Sequence, residues 1–170
     1  MDQLIFAYGS MMHSGEIRRR CPSARFVARA VFPDRRLHFP RASVLRAGGV
    51  AGLEHTPGEL AWGVVWSIPT EEVASLDVSE GFRAERRPSR NSYNRKPCTV
   101  WVEGRASEAL CIDFYDAVPD QSRQRPSVGY LDLILTGARQ HQLPRRYLHR
   151  IEALRAGLVG CQRTLNSFVS

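Results

Sequence analysis

Residues 60–82 read "LAWGVVWSIPTEEVASLDVSEGF". The first nine positions are almost continuously apolar and rich in Val, Trp and Ile, the pattern of a strand covered on both faces. Then the pattern changes. Thr70 can cap a helix, Glu71 and Glu72 sit where the positive end of a helix dipole favours carboxylates, and Gly81 is a stop signal. A buried strand that feeds a short helix points to a mixed architecture.

The flanks extend that reading. Upstream, "LIFAY" (4–8), "ARFVARAVF" (24–32, stopping at Pro33-Asp34) and "LHF" (37–39) read as strands. "GGVAGLEH" (48–55) reads as a Gly-rich strand, where another backbone can pass close by. Downstream, "CTVWVEG" (98–104) and "EALCIDFYDA" (108–117) read as a hairpin around Gly104. Ser14 can cap a first helix with Glu16 in its opening turn. Ser127 can cap a third, with Tyr130, Ile134 and Ala138 on one face. Pro144 suits the first position of a fourth, with Tyr147, Leu148, Ile151 and Leu154 inward. The expected fold is α+β: a small mixed β-barrel, closed or half-closed, of about six strands with flanking helices. "RAERRPSRNSYNR" (83–95) is expected as a mobile loop, "PDQSRQRPS" (119–127) as a linker, and the last ten residues as a fraying tail.

Composition sets the frame. With 170 residues, 43% hydrophobic and 24% charged, the chain suits one domain spanning residues 1–170. No apolar run reaches the roughly 20 residues of a membrane helix, and "MDQLIFAYGS" has no signal-peptide pattern, so a cytoplasmic protein without a membrane partner is expected. Cys21, Cys98, Cys111 and Cys161 show no metal-type spacing, and the histidines show none either, so no metal is expected. The net charge is +7, yet Lys96 is the single lysine among 24 basic residues. The arginines are spread out except at Arg18–Arg20 and between Arg83 and Arg95. A solvated basic face that draws in small anions is the preferred reading, and nucleic-acid binding the lesser alternative.

Two places can carry chemistry. "FAYGSM" (6–11) ends an apolar strand in a Gly-Ser turn. Such a turn is either a simple reversal or a surface of backbone N–H groups for something anionic. Glu80, in "SLDVSEGF", closes the second helix. The negative end of the helix dipole there, and desolvation beside Trp62, Trp66 or Phe82, would both raise its pKa towards general acid/base duty. Asp77 reads as a helix-surface residue.

Three pieces in order, "FAYGS", "WGVVWSI…SLDVSEGF" and "PSVGYLDLILTGARQHQLPRRYL", resemble the gamma-glutamylcyclotransferase family over roughly residues 4 to 155. The resemblance implies a catalytic acid/base at Glu80. It also implies a substrate-binding loop at Tyr8, Gly9, Ser10 and Met11, and a tyrosine lining the site at Tyr130. Tyr93 matches a common aromatic position. Met11 stands where the family's loop usually has Asn, and the loop after Glu80 is longer and more basic than usual. The implied reaction is cyclisation of a small γ-glutamyl substrate to 5-oxoproline, with release of an amine or amino acid and no cofactor. The expected assembly is a monomer or homodimer. A non-catalytic binding module on the same barrel remains the alternative, since a fold does not fix a function.

Overall fold

Two long strands dominate the computed structural model, which describes residues 2–104, 109–122 and 124–167, with side chains to residue 159. Strand β1 (Asp2–Ala7) leads through a 3-10 turn (Ser10–Met12) and helix α1 (Ser14–Arg18) into β2 (Arg25–Ser43) and β3 (Gly48–Pro69). Helix α2 (Thr70–Ser79), strands β4 (Tyr93–Val102) and β5 (Ala109–Ala117), and helices α3 (Val128–Gln140) and α4 (Arg145–Ser167) follow. The strands close into a barrel in the order β1-β3-β2-β4-β5, sealed by parallel pairing of Ile5 with Asp113 and Phe6 with Phe114.

The barrel therefore has five strands where about six were expected. "ARFVARAVF" and "LHF" are one strand, as are "GGVAGLEH" and "LAWGVVWSI". Pro33-Asp34 does not end β2. The pairing shifts there between Pro33 and Arg35, and Asp34 takes a left-handed conformation (φ 54°). Its Oδ1 accepts from Gly58 N–H (2.8 Å), so the residues around Gly58 bulge out while both strands continue.

Burial follows the sequence pattern. Val64, Val65, Trp66 and Ile68 are fully buried, as a strand covered on both faces requires. Phe32 and Phe114 meet edge to face (5.3 Å between centroids), and Phe6 joins them at 6.1 Å from Phe32. Helix α3 buries Tyr130, Leu131, Ile134, Leu135 and Ala138, and Ser127 Oγ accepts from Tyr130 N–H (3.2 Å) as its cap. Tyr147 and Ile151 of α4 are buried, but Leu154 is 47% exposed and does not point inward.

Several expected boundaries move. His13, not Ser14, caps α1: its Nδ1 accepts from Gly15 N–H (3.0 Å) and Glu16 N–H (3.3 Å). Pro69 occupies the cap position of α2, and Thr70 is its first helical residue. The loop after Glu80 is pinned rather than loose, because the buried Asn91 side chain bonds both Arg83 N–H and Arg83 O (3.2 Å each). The close backbone approach expected at the Gly-rich stretch occurs: Gly49 N–H donates to Arg125 O (2.9 Å), and a Cβ on Gly49 would lie 2.4 Å from Gln124 O. Residues 119–122 and 124–127 thus strap across the tip of β2 and β3, and residue 123 of that segment lies outside the described residues. The tip of the β4–β5 hairpin (105–108) and the last three residues of the expected tail lie outside the described residues. Among the described residues, no helix is long and apolar enough to cross a membrane.

Candidate active site

Strand β1 delivers the first wall. Beyond Ala7 the chain turns through Tyr8 and Gly9, and Met12 N–H donates to Gly9 O while His13 N–H donates to Ser10 O (3.0 Å each). The turn is fixed from outside, since Trp66 Nε1 donates to Met11 O (3.0 Å). Gly9 sits in a close-packed spot: a Cβ there would be 3.0 Å from Ala51 Cβ and 3.5 Å from the Tyr130 hydroxyl.

Helix α2 delivers the second wall. Glu80 is the C-cap, one position beyond Ser79, with helical backbone angles (φ −84°, ψ −1°) and its N–H donating to Leu76 O (2.9 Å). Gly81 follows with φ 67°, the left-handed conformation that ends a helix and that glycine adopts without steric penalty. Glu80, Tyr8, Gly9, Ser10, Met11 and Tyr130 all line one cavity of about 750 Å³. The structure therefore brings together every site residue expected from the sequence, and Tyr93 with them.

The surroundings of Glu80 differ from expectation in one respect. Neither Trp62, Trp66 nor Phe82 lines the cavity; its aromatic lining is Phe6, Tyr8, Tyr93, Tyr115 and Tyr130. Burial pushes the Glu80 carboxyl up to about 7, against the opposing pull of Arg20 and Arg46. As a whole residue Glu80 is only partly covered, and it lines the cavity. Burial drives the Tyr8, Tyr93 and Tyr130 hydroxyls upward as well, so they stay protonated. Glu80 is then the cavity group whose charge changes near neutral pH.

The tyrosines are held by backbone. Tyr8 donates to Tyr115 O (2.6 Å), and Tyr93 donates to Ala51 O (2.7 Å). The Tyr130 oxygen accepts from Ala51 N–H (3.1 Å). Tyr115 donates to Asp77 Oδ1 (2.6 Å), and Arg95 Nε pairs with the same oxygen at 3.2 Å. Asp77 is thus an anchor for a cavity residue and not a surface carboxylate.

Sequence reasoning missed the charged part of the wall. Arg20, Arg41, Arg46 and Glu16 also line the cavity. Glu16 is buried at 5% exposure and pairs with Arg19 (2.8 Å), Arg46 (2.5 Å) and Arg20 (3.7 Å). The spacing of Glu16 to Arg19 and Arg20 is a legible helix signal. Arg46 carries no local signal, because its partner lies 30 residues away. Among the described residues, no group of three or more His, Cys, Asp or Glu side chains converges as a metal site would.

Comparison with known proteins adds an independent finding. A model of the AIG2-like family matches residues 61–151, a span that takes in Glu80, Tyr93 and Tyr130 but not the Tyr8–Met11 turn. The chain is 31% identical over 159 residues to a gamma-glutamylcyclotransferase of Bos taurus, covering 89% of this chain and 78% of the relative. It is 30% identical over 159 residues to one of Homo sapiens, with the same coverage. A solved gamma-glutamyl cyclotransferase structure superposes with a TM-score of 0.80 at 29% identity, covering 90% of this chain and 88% of that one.

Proposed function

The chain belongs to the AIG2-like family and is an enzyme of the gamma-glutamylcyclotransferase type, and from that premise we propose how its residues divide the reaction. The substrate is a small γ-glutamyl compound. Its own α-amino nitrogen is the nucleophile and its own γ-carbonyl carbon the electrophile. Holding the two in a cyclising conformer supplies much of the rate, because the attack is intramolecular.

Glu80 is the general acid/base. Its carboxylate takes a proton from the α-ammonium group, and the freed nitrogen attacks the γ-carbonyl. A carbon–nitrogen bond forms and the carbonyl oxygen becomes an oxyanion. Backbone N–H groups of the Gly9–Ser10 turn hold that oxyanion. As the tetrahedral species collapses, Glu80 gives its proton to the leaving nitrogen, the bond to that nitrogen breaks, and the second proton of the ring nitrogen passes through Glu80 to the released amine, which departs as an ammonium and leaves the lactam one N–H. The products are 5-oxoproline and a free amine or amino acid, and Glu80 ends as it began.

The observation that carries this reading is the setting of Glu80. Its carboxyl is pushed up to about 7 in a cavity walled by protonated tyrosines, and the Gly9–Ser10 turn lines the same cavity. A proton acceptor and donor works best when its pKa lies near the operating pH. Tyr8, Tyr130 and Met11 shape the pocket around the substrate, with Met11 contributing an apolar side chain. The test is to incubate the protein with a panel of γ-glutamyl dipeptides and γ-glutamyl amines and to follow 5-oxoproline by mass spectrometry. Release from at least one compound is expected. Its absence across the panel would contradict the reading.

A further inference from the structure

Glu80 lies inside a helix ending that is held from outside. Gly81 N–H donates to Val78 O (3.1 Å) and Phe82 N–H donates to Asp77 O (2.9 Å), the pair of bonds that closes a helix on a left-handed glycine. Such an ending commonly carries an apolar contact between the positions that Asp77 and Phe82 occupy here. In this chain the two are joined through a third residue. Arg95 of β4 pairs with Asp77 Oδ1 through Nε (3.2 Å), and its guanidinium carbon lies 5.7 Å from the centre of the Phe82 ring. Glu80 stands between the two points that Arg95 grips.

The rest of the guanidinium is fixed to the barrel. Arg95 Nη1 donates to Gln3 Oε1 (3.0 Å) and pairs with Asp113 Oδ2 at 3.5 Å, and Gln3 Nε2 donates to that same Asp113 oxygen (2.6 Å). Gln3 and Asp113 belong to β1 and β5, the strands whose parallel pairing seals the barrel. Asp77 is held a second time, by the Tyr115 hydroxyl of β5 (2.6 Å). The side chains of Arg95 and Asp77 are 25% and 19% exposed, so their pairing is largely shielded from the screening that weakens a surface pair.

Arg95 does not itself line the cavity. Its effect on the chemistry therefore runs through the backbone that carries Glu80. A ten-residue helix such as α2 has little stability of its own, so the direction of its last turn depends on such anchors. We propose that Arg95 is a positioning residue for Glu80: tied to the barrel seam, it grips Asp77 and Phe82 on either side of Glu80 and so sets where the carboxylate stands in the cavity. The proposal rests on the acid/base reading of Glu80 and adds the side chain that aims it.

The first test needs no substrate. The Glu80 carboxyl carbon, identified as the NMR signal missing from Glu80→Gln, is titrated in the wild-type chain, Arg95→Ala and Arg95→Lys. The wild-type midpoint is expected at about 7. The charges that face Glu80, Arg20 and Arg46, are kept in every variant. Released in Arg95→Ala, the carboxyl gains solvent, and its midpoint should fall towards the ordinary 4.5 by about one unit or more. Loss of a neighbouring positive charge would move it the other way, so the sign separates release from a direct charge effect. Arg95→Lys keeps the charge beside Asp77 without the planar fork and should fall between. The second test is turnover of the best γ-glutamyl compound of the panel. Arg95→Ala should lower kcat by about 10- to 100-fold, since a displacement of about 1 Å costs that much. KM should stay within about threefold, and Arg95→Lys should recover part of the rate. Thermal melts check folding, and Arg95→Lys carries both tests if Arg95→Ala does not fold. A midpoint that stays in place or rises in the variants, with only a lower melting temperature, makes Arg95 a stabiliser of the seam and overturns the proposal. An unchanged kcat, or a loss confined to KM, overturns it as well. A wild type that turns over no panel compound overturns the cyclisation reading, while the titration still decides whether Arg95 places Glu80.

Discussion

Tyr93 and Tyr130 meet at the backbone of a single residue: Tyr93 donates to Ala51 O at 2.7 Å, and Tyr130 accepts from Ala51 N–H at 3.1 Å. The reason lies across the sheet. The β2–β3 register shifts between His38 and Arg41, so Ala51 faces the Phe39–Pro40 irregularity and not a regular ladder partner. The two phenols serve its backbone where strand pairing does not. Tyr130→Phe and Tyr93→Phe should each destabilise the protein by about 1–3 kcal/mol, the cost of leaving a buried backbone group unserved. Urea unfolding measures this. Tyr130→Phe should also reduce kcat/KM, because the same hydroxyl lies beside Gly9 of the turn and Tyr130 lines the cavity.

Glu80 should leave a signature in stability as well as in rate. Its folded-state pKa of about 7 lies above the ordinary carboxylate value of 4.5. Between those two values the folded state binds more protons than the unfolded state, so stability falls as pH rises from about 4.5 to 7 and then levels. The loss amounts to about 3 kcal/mol at most. Glu80→Gln should abolish this slope and be the more stable protein at pH 8. Unfolding titrations at pH 5, 7 and 8 for both proteins decide it. The wild-type kcat/KM should rise through about pH 7 as Glu80 becomes a base.

At Gly9 the expected loss is functional first. A Cβ would meet Ala51 Cβ at 3.0 Å and approach the Tyr130 hydroxyl, so the turn must shift by a few tenths of an ångström. Gly9→Ala should lower kcat/KM by about 10-fold or more with only a small change in melting temperature, since oxyanion donors lose their effect when displaced. Gly9→Val should lower it further. A melting temperature that collapses in step with activity would reduce Gly9 to a turn residue.

Ser127 joins two walls of the cavity through one hydroxyl, which accepts from Tyr130 N–H and donates to Arg46 O. Ser127→Ala should cost about 1–2 kcal/mol of stability through the lost cap. Ser127→Thr, which keeps the hydroxyl, should cost much less. Chemical denaturation of the two variants provides the comparison.

Much of the site was legible because its residues sit at the ends of elements whose periodicity is strong. The run from Leu60 to Ile68 is buried as its pattern requires, and Glu80 stands where α2 meets Gly81. Tyr130 follows from the Ser127 cap. What escaped depends on contacts distant in sequence. Pro33-Asp34 has the local signature of a stop, yet the bond from Gly58 N–H to Asp34 carries β2 through it, and this is why the strand count came out high. The His13 cap was hidden because Ser14 beside it is the commoner capping residue. Arg46 and Tyr115 join the cavity only once β3 and β5 are in place.

The central claim is that Glu80 moves the protons of an intramolecular cyclisation. It is tested most directly by comparing 5-oxoproline formation by the wild-type chain and Glu80→Gln on the best γ-glutamyl substrate, under single-turnover conditions with both proteins folded. The account predicts that Glu80→Gln binds the substrate but forms product about 10²–10⁴-fold more slowly, the usual contribution of a positioned acid/base group. Product formation by Glu80→Gln within a few-fold of the wild-type rate would contradict it.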